Sequence, residues 1–181
     1  IGKTVTTEFA NMTAGVTHNP LNLAHSPGAL SSGSAAAVAD FMAPLALGTQ
    51  TAGSIIRPAA CCGVVGIKPS FGRVPRAGVK PNADSMDTVG GFGRTVADAA
   101  LLASVLAGDA RLRTQAPPET LRIGLVQGPD WGEAEPDVEA AWERAVKALA
   151  PQAQRCEDAA LPADFGDVAA VQASLQAHET A

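Results

Sequence analysis

Apolar and polar positions alternate in blocks along this chain, and the blocks predict a run of helices and strands. SAAAVADFM (34–42) is alanine-rich and opens on a serine, which predicts a short buried helix. APLALGT (43–49) is short and apolar on both faces, the pattern of a central strand. QTAGS then reads as a turn of small residues, SIIRPAACC (54–62) as a short helix and GVVGIK (63–68) as a second core strand. Residues 69–93 hold several glycines and prolines and read as loop. Thr95 and Asp98 form a capping pattern that opens a helix over TVADAALLASVLAG (95–108), ended by Gly108. LRIGLVQG (121–128) predicts a strand, and 137–149 an amphipathic helix whose stripe is Val138, Ala141, Trp142, Ala145 and Leu149. Residues 167–178 also read as helix, whereas 1–33 lack sustained periodicity. Strands alternating with helices place the chain in the α/β class.

Composition narrows what such a chain does. With 181 residues, 46% of them hydrophobic, there is enough apolar mass for one globular domain with a core. Charged residues at 17% argue against disorder; with aromatics at 4% and no tyrosine, basic stacking surfaces for nucleic acid are not expected. Residues 1–100 carry seven Lys and Arg against five Asp and Glu, and residues 101–181 carry six against thirteen. The acidic half reads as solvated helix faces. Cys61, Cys62 and Cys156 are odd in number and two are adjacent, so reduced thiols and a cytoplasmic location are expected. No C-x-x-C spacing or Cys/His cluster suggests a metal, and no apolar run of 18 or more suggests a membrane span. The chain begins IGKTVTTEFA without methionine and stops in QASLQAHETA inside a helical pattern, so both ends read as cuts.

The segment with chemical promise is strand, then TQTAGS (49–54), then helix. Small residues at Ala52 and Gly53 permit a tight turn with several backbone N–H groups facing one way. A serine at its end, Ser54, is either a plain helix cap or a nucleophile set beside an oxyanion hole. Phosphate-loop and G-x-S-x-G patterns are absent, and GGFGR (90–94) lacks the spacing of a dinucleotide site. His18, His25 and His178 fall in loop or tail segments and read as exposed.

PGALSSGSAAAVA followed by PLALGTQTAGSIIRPAACCGVVGIKPSFGRVP closely resembles the glycine/serine-rich signature of the amidase signature family. KTVTTEFA, the NP pair and DTVGGFGRTVADA extend the likeness, so residues 1–108 look like the family core. A single partial amidase domain is expected, with 109–120 a connector and 121–181 a strand–helix continuation. The resemblance implies a mixed sheet with helices packed on both faces. It also implies hydrolysis of the C–N bond of a small carboxamide by a Ser–cis-Ser–Lys triad, with no metal or organic cofactor. By motif position Ser54 is the nucleophile, and backbone N–H groups of Thr51, Ala52, Gly53 and Ser54 form the oxyanion hole. Arg57, three positions on, would present a cation to a substrate carboxylate, or pair with a structural carboxylate or carbonyl instead.

Two departures stand out. The family's relay serine falls on Leu30 and the glycine before it on Ala29. The family's lysine lies before the segment matching residue 1, Lys3 is not its counterpart, and Lys68 could replace it only if folding brought it close. The expectation is therefore an amidase-type scaffold, incomplete or inactive as it stands. Three alternatives stay open: Ser31 recruited as a substitute relay, a non-catalytic binding or assembly module, and an amidotransferase subunit. Self-association into a homo-oligomer is also left open.

Overall fold

The computed structural model describes residues 16–113 and 120–179, Asp164 in its backbone only. Lys3 and KTVTTEFA lie outside the described residues. Two compact units form, residues 1–115 with 174–181, and residues 116–173.

The first unit is built on a three-stranded sheet, β1 (Leu45–Gln50), β2 (Val65–Ile67) and β3 (Thr88–Gly93). The strand order is β1-β3-β2, and both pairings are antiparallel. The centre of the sheet is thus β3, which the sequence pattern places in a loop, and β1 is an edge strand of this sheet rather than a central one. TVGGFG reads as loop because glycine is rare in strands. Here the neighbouring backbones demand it: a Cβ on Gly90 would lie 2.1 Å from the Ile67 carbonyl oxygen, and one on Gly91 2.3 Å from that of Ala46.

Alternation along β3 distributes the helices. Phe92 is fully buried in a cluster with Ala35, Ala36 and Val38 of α1 (Ser32–Ala39) and Ile55, Ala59 and Cys62 at α2 (Ile56–Cys62). The opposite face, at Gly91 and Gly93, receives Leu102 and Ala99 of α3 (Val96–Ala107). Helices therefore cover both faces of the sheet, as expected. The capping box of α3 is present: Thr95 Oγ1 accepts the Asp98 N–H and the Asp98 carboxylate accepts the Thr95 N–H, both at 3.1 Å. Gly108, in the left-handed region at φ 63°, closes that helix. The first helix starts two residues earlier than its alanine run suggests, and Phe41 and Met42 lie beyond it, exposed.

The second unit contains β4 (Arg122–Leu125) and β5 (Arg155–Asp158), paired in parallel, with α4 (Pro136–Leu149) between them in sequence. RCED carries three charges in four residues, which hides β5 from a hydrophobicity reading. Trp142 packs edge-to-face on Trp131 with ring centroids 5.2 Å apart, while Val138 and Leu149 of the expected stripe remain about half exposed. The last helix, α5 (Val168–Glu179), begins in this unit, and its residues from Ser174 onward belong to the first.

Candidate active site

Ser54 does not cap a helix. Helix α2 begins two residues later, its N-cap is Ile55, and that residue makes no side-chain capping bond. The capping is done by Gln50, the last residue of β1, whose buried carboxamide folds back over the turn. Its Oε1 accepts the N–H groups of Ile55 at 2.8 Å and Ile56 at 3.1 Å, and its Nε2 donates to the Ala52 carbonyl at 2.6 Å. These bonds satisfy helix-end donors that would otherwise compete for the Ser54 hydroxyl. Among the described residues, that hydroxyl and the N–H groups of Thr51, Ala52, Gly53 and Ser54 have no hydrogen-bond partner.

A second set of bonds fixes the start of the turn. Thr51 Oγ1 donates to the buried Asp87 carboxylate, the residue just before β3, and accepts from Asn82 Nδ2 at 3.3 Å. Asp87 also accepts the Asn82 and Ala83 N–H groups at 2.5 and 3.1 Å. The turn is thus held at one end by Gln50 and at the other by Asp87, while 52–54 face open space.

That space is a cavity of about 140 Å³ lined by Ala29, Leu30, residues 51–54, Arg57 and Gln176. Arg57 is exposed and curls back, so that its Nη2 lies 2.9 Å from where a Cβ on Gly53 would sit. No carboxylate or carbonyl among the described residues pairs with its guanidinium. The structure therefore brings Ser54, the 51–54 N–H groups, Arg57 and Leu30 together.

Ser31 is not brought in with them. Its hydroxyl lies on β1, donating to the Thr49 carbonyl and accepting the Thr49 N–H, each at 3.3 Å. Gly28, Ala29 and Ser31 all adopt left-handed backbone, at φ 97°, 68° and 57°. For Ala29 that conformation costs about 1–2 kcal/mol that glycine would avoid. The described peptide bonds are all trans, those flanking Leu30 included. Lys68 is exposed, bonds to the neighbouring Pro69 carbonyl and does not line the cavity. His18, His25 and His178 are exposed.

Cys61, Cys62 and Cys156 are free thiols. Burial, and then the neighbouring Cys61, push the Cys62 thiol up to about 11. Among the described residues no group of three or more His, Cys, Asp or Glu is placed to hold a metal ion. No helix there is long and apolar enough to cross a membrane.

Comparison with known proteins agrees with this scaffold. The family described as Amidase matches residues 1–168, and the chain belongs to that family. A glutamyl-tRNA(Gln) amidotransferase subunit of Acidothermus cellulolyticus is 43% identical over 93% of this chain and 36% of its own length. The crystal structure of native peptide amidase from Stenotrophomonas maltophilia superposes with a TM-score of 0.74 and 36% identity, over 92% of this chain and 37% of that one. The glutamyl-tRNA(Gln) amidotransferase subunit of Thermotoga maritima gives a TM-score of 0.76 at 31% identity, covering 90% of this chain and 39% of its own. The chain thus spans a little over a third of the length of these relatives.

The signature exposes Ser54, Leu30 and Arg57 to sequence reasoning. Gln50, Asp87 and Gln176 escape it, and only the spacing of Gln50 to the Ile55 and Ile56 N–H groups at the start of α2 hints at a cap supplied from the strand.

Proposed function

We propose that the turn at 51–54 is the acyl-transfer site of an amidase-type C–N hydrolase, with Ser54 as nucleophile and Leu30 in the place of the proton relay. One observation carries the reading: Ser54, whose hydroxyl has no partner among the described residues, lines the same cavity as Thr51, Ala52, Gly53 and Arg57, whose guanidinium pairs with no carboxylate or carbonyl among the described residues.

The chemistry follows from that geometry. Ser54 Oγ adds to the amide carbonyl, and the oxyanion that forms is stabilised by N–H groups of Thr51 to Ser54; losing one such donor typically costs about 10²–10³ in rate. The serine proton must leave during attack, and the leaving nitrogen must gain one. Leucine can do neither. The cavity, about 140 Å³ and open to solvent, has room for a compact amide. Arg57 favours an anionic group on its acyl side. Three free thiols fit a reducing compartment, and we place the chain in the cytoplasm.

Two substrates test this together. 4-Nitrophenyl acetate is expected to leave an acetyl group on Ser54, its phenolate departing without a proton and the serine proton passing to solvent water; the adduct is seen by mass spectrometry and absent in Ser54→Ala. 4-Nitroacetanilide, whose amine must be protonated, is expected to turn over at little more than the uncatalysed rate. Brisk anilide hydrolysis lost in Ser54→Ala overturns the role given to Leu30, and ester acetylation elsewhere than Ser54 overturns the nucleophile.

Leu30 also favours a second reading, in which the scaffold binds an amide or a partner without cleaving anything. In that case binding persists in Ser54→Ala and no acetyl-enzyme forms.

A further inference from the structure

The loop that brings Ala29 and Leu30 to the Ser54 cavity is strained, and it is held in place by ties to its neighbours. Gly28, Ala29 and Ser31 stand in left-handed backbone, a conformation that persists in other residues than glycine only where the surroundings impose it. The loop backbone presses on α2: a Cβ on Gly28 would lie 2.6 Å from Pro58 Cα. Side chains tie it down as well. The Ser31 hydroxyl bonds to β1 at Thr49, and the Cys62 thiol, at the end of α2, donates to the Pro27 carbonyl at 3.5 Å. A further tie comes from Asn19.

Asn19 is buried, only 4% exposed, and lies seven residues before Ser26. Its Oδ1 accepts the Leu21 N–H at 3.0 Å, which sets the orientation of the carboxamide. Its Nδ2 donates to the Ser26 carbonyl at 3.2 Å and to the Cys61 carbonyl at 2.8 Å. The Cys61 carbonyl belongs to the last turn of α2, where carbonyls have no partner within the helix. One carboxamide thus closes the far end of the helix whose near end bears Arg57, and joins it to the start of the loop bearing Leu30. Both hydrogens of Nδ2 are used within the protein, so Asn19 holds structure and does not bind a ligand.

We propose that Asn19 is a positioning residue of the Ser54 site: it fixes the loop bearing Ala29 and Leu30 against α2 and so sets one wall of the cavity. The inference rests on the reading of Ser54 as nucleophile. Without the tie the strained backbone relaxes, and the wall stands in place in a smaller fraction of molecules. Apparent affinity falls with that fraction. The acyl-transfer step keeps its rate, because Gln50 and Asp87 hold the turn at 51–54 independently.

The test follows acetylation of Ser54 by 4-nitrophenyl acetate in the whole chain. It reads the half-saturating ester concentration, the limiting rate constant and the burst amplitude, which counts competent molecules. Asn19→Ala is expected to raise the half-saturating concentration at least about threefold, the loss of one or two hydrogen bonds. The limiting rate constant is expected to stay within about twofold. Asn19→Asp keeps the Leu21 bond but sets an oxygen against both carbonyls, and is expected to raise the half-saturating concentration at least as much. Cys62→Ala removes only the tie at Pro27 and is expected to raise it about twofold; where Asn19→Ala leaves no competent molecules, this variant decides. A lower amplitude with both constants unchanged makes Asn19 purely structural and overturns the inference. So does a half-saturating concentration that holds steady in every variant. Either result leaves Ser54 standing as nucleophile, whereas no acetylation of Ser54 in the unaltered chain overturns both readings.

Discussion

Gln50 caps a helix that it does not belong to, accepting the Ile55 N–H at 2.8 Å from the end of the preceding strand. This bond leaves Ser54 uncommitted, because the donors a helix-capping serine would satisfy are already taken. Replacing Gln50 by leucine strands the buried Ile55 N–H, at a cost of about 1–3 kcal/mol. Urea unfolding is expected to show that loss. Acetylation of Ser54 by 4-nitrophenyl acetate is expected to fall at the same time, because the turn loses its hold on the Ala52 carbonyl. A Gln50→Leu chain of unaltered stability contradicts the capping role.

Gly91 occupies the centre of the sheet, where a Cβ would meet the Ala46 carbonyl oxygen at 2.3 Å and Leu102 at 2.6 Å. Since backbone cannot step aside as a side chain can, Gly91→Ala is expected to destabilise the first unit by about 3 kcal/mol. Gly78→Ala is a useful contrast. Nothing lies within 4 Å of its Cβ position, so the expected penalty comes only from its left-handed backbone.

Arg57 lines the Ser54 cavity, and its removal separates charge recognition from cavity shape. Arg57→Ala is expected to weaken succinamate about tenfold or more, the range for a hydrogen bond to a charged group. Butyramide, which has a similar length and no carboxylate, is expected to change by less than twofold. Calorimetric titration of both ligands reads the difference. Equal losses for both would mean that Arg57 shapes the cavity and does not recognise charge.

Asp109 follows α3 and is held between two arginines. Hydrogen bonds from Arg111, and then the charges of Arg111 and Arg73, lower its carboxyl from 3.8 to about 2. A depressed folded-state value means that the tie contributes fully above the ordinary carboxylate range and is lost as pH falls through about 2. The stability difference between the unaltered chain and Asp109→Asn is expected to be flat from pH 7 to about 5. It should shrink below about 4 and vanish near 2. A difference that disappears between pH 6 and 5 would contradict this assignment.

Legibility in the sequence follows the physics of each element. The capping box at Thr95 and Asp98 and the glycine stop at Gly108 are local, and α3 runs where they place it. Strand β3 is invisible to propensity because its glycines answer to the backbones of Ile67 and Ala46, which are distant in sequence. The pairing partner of β1 is hidden for the same reason. At the site, the amidase signature carries Ser54, Arg57 and the substitution at Leu30, all within one stretch of chain. Gln176 and Asp87 reach it through tertiary contacts that no periodicity encodes. Local chemistry alone favours Ser54 as an N-cap, and a side chain four residues upstream takes that role instead.

The central claim is that Ser54 is a competent nucleophile deprived of its relay by Leu30. Its most direct measurement is kcat/KM for 4-nitroacetanilide in a fusion that places the lysine-bearing N-terminal segment of an amidase relative ahead of this chain, with and without Leu30→Ser. General-base assistance is worth about 10²–10⁴, so the account predicts a rise of at least about a hundredfold on Leu30→Ser, abolished by Ser54→Ala. An unchanged rate, or a rise that survives Ser54→Ala, would contradict it.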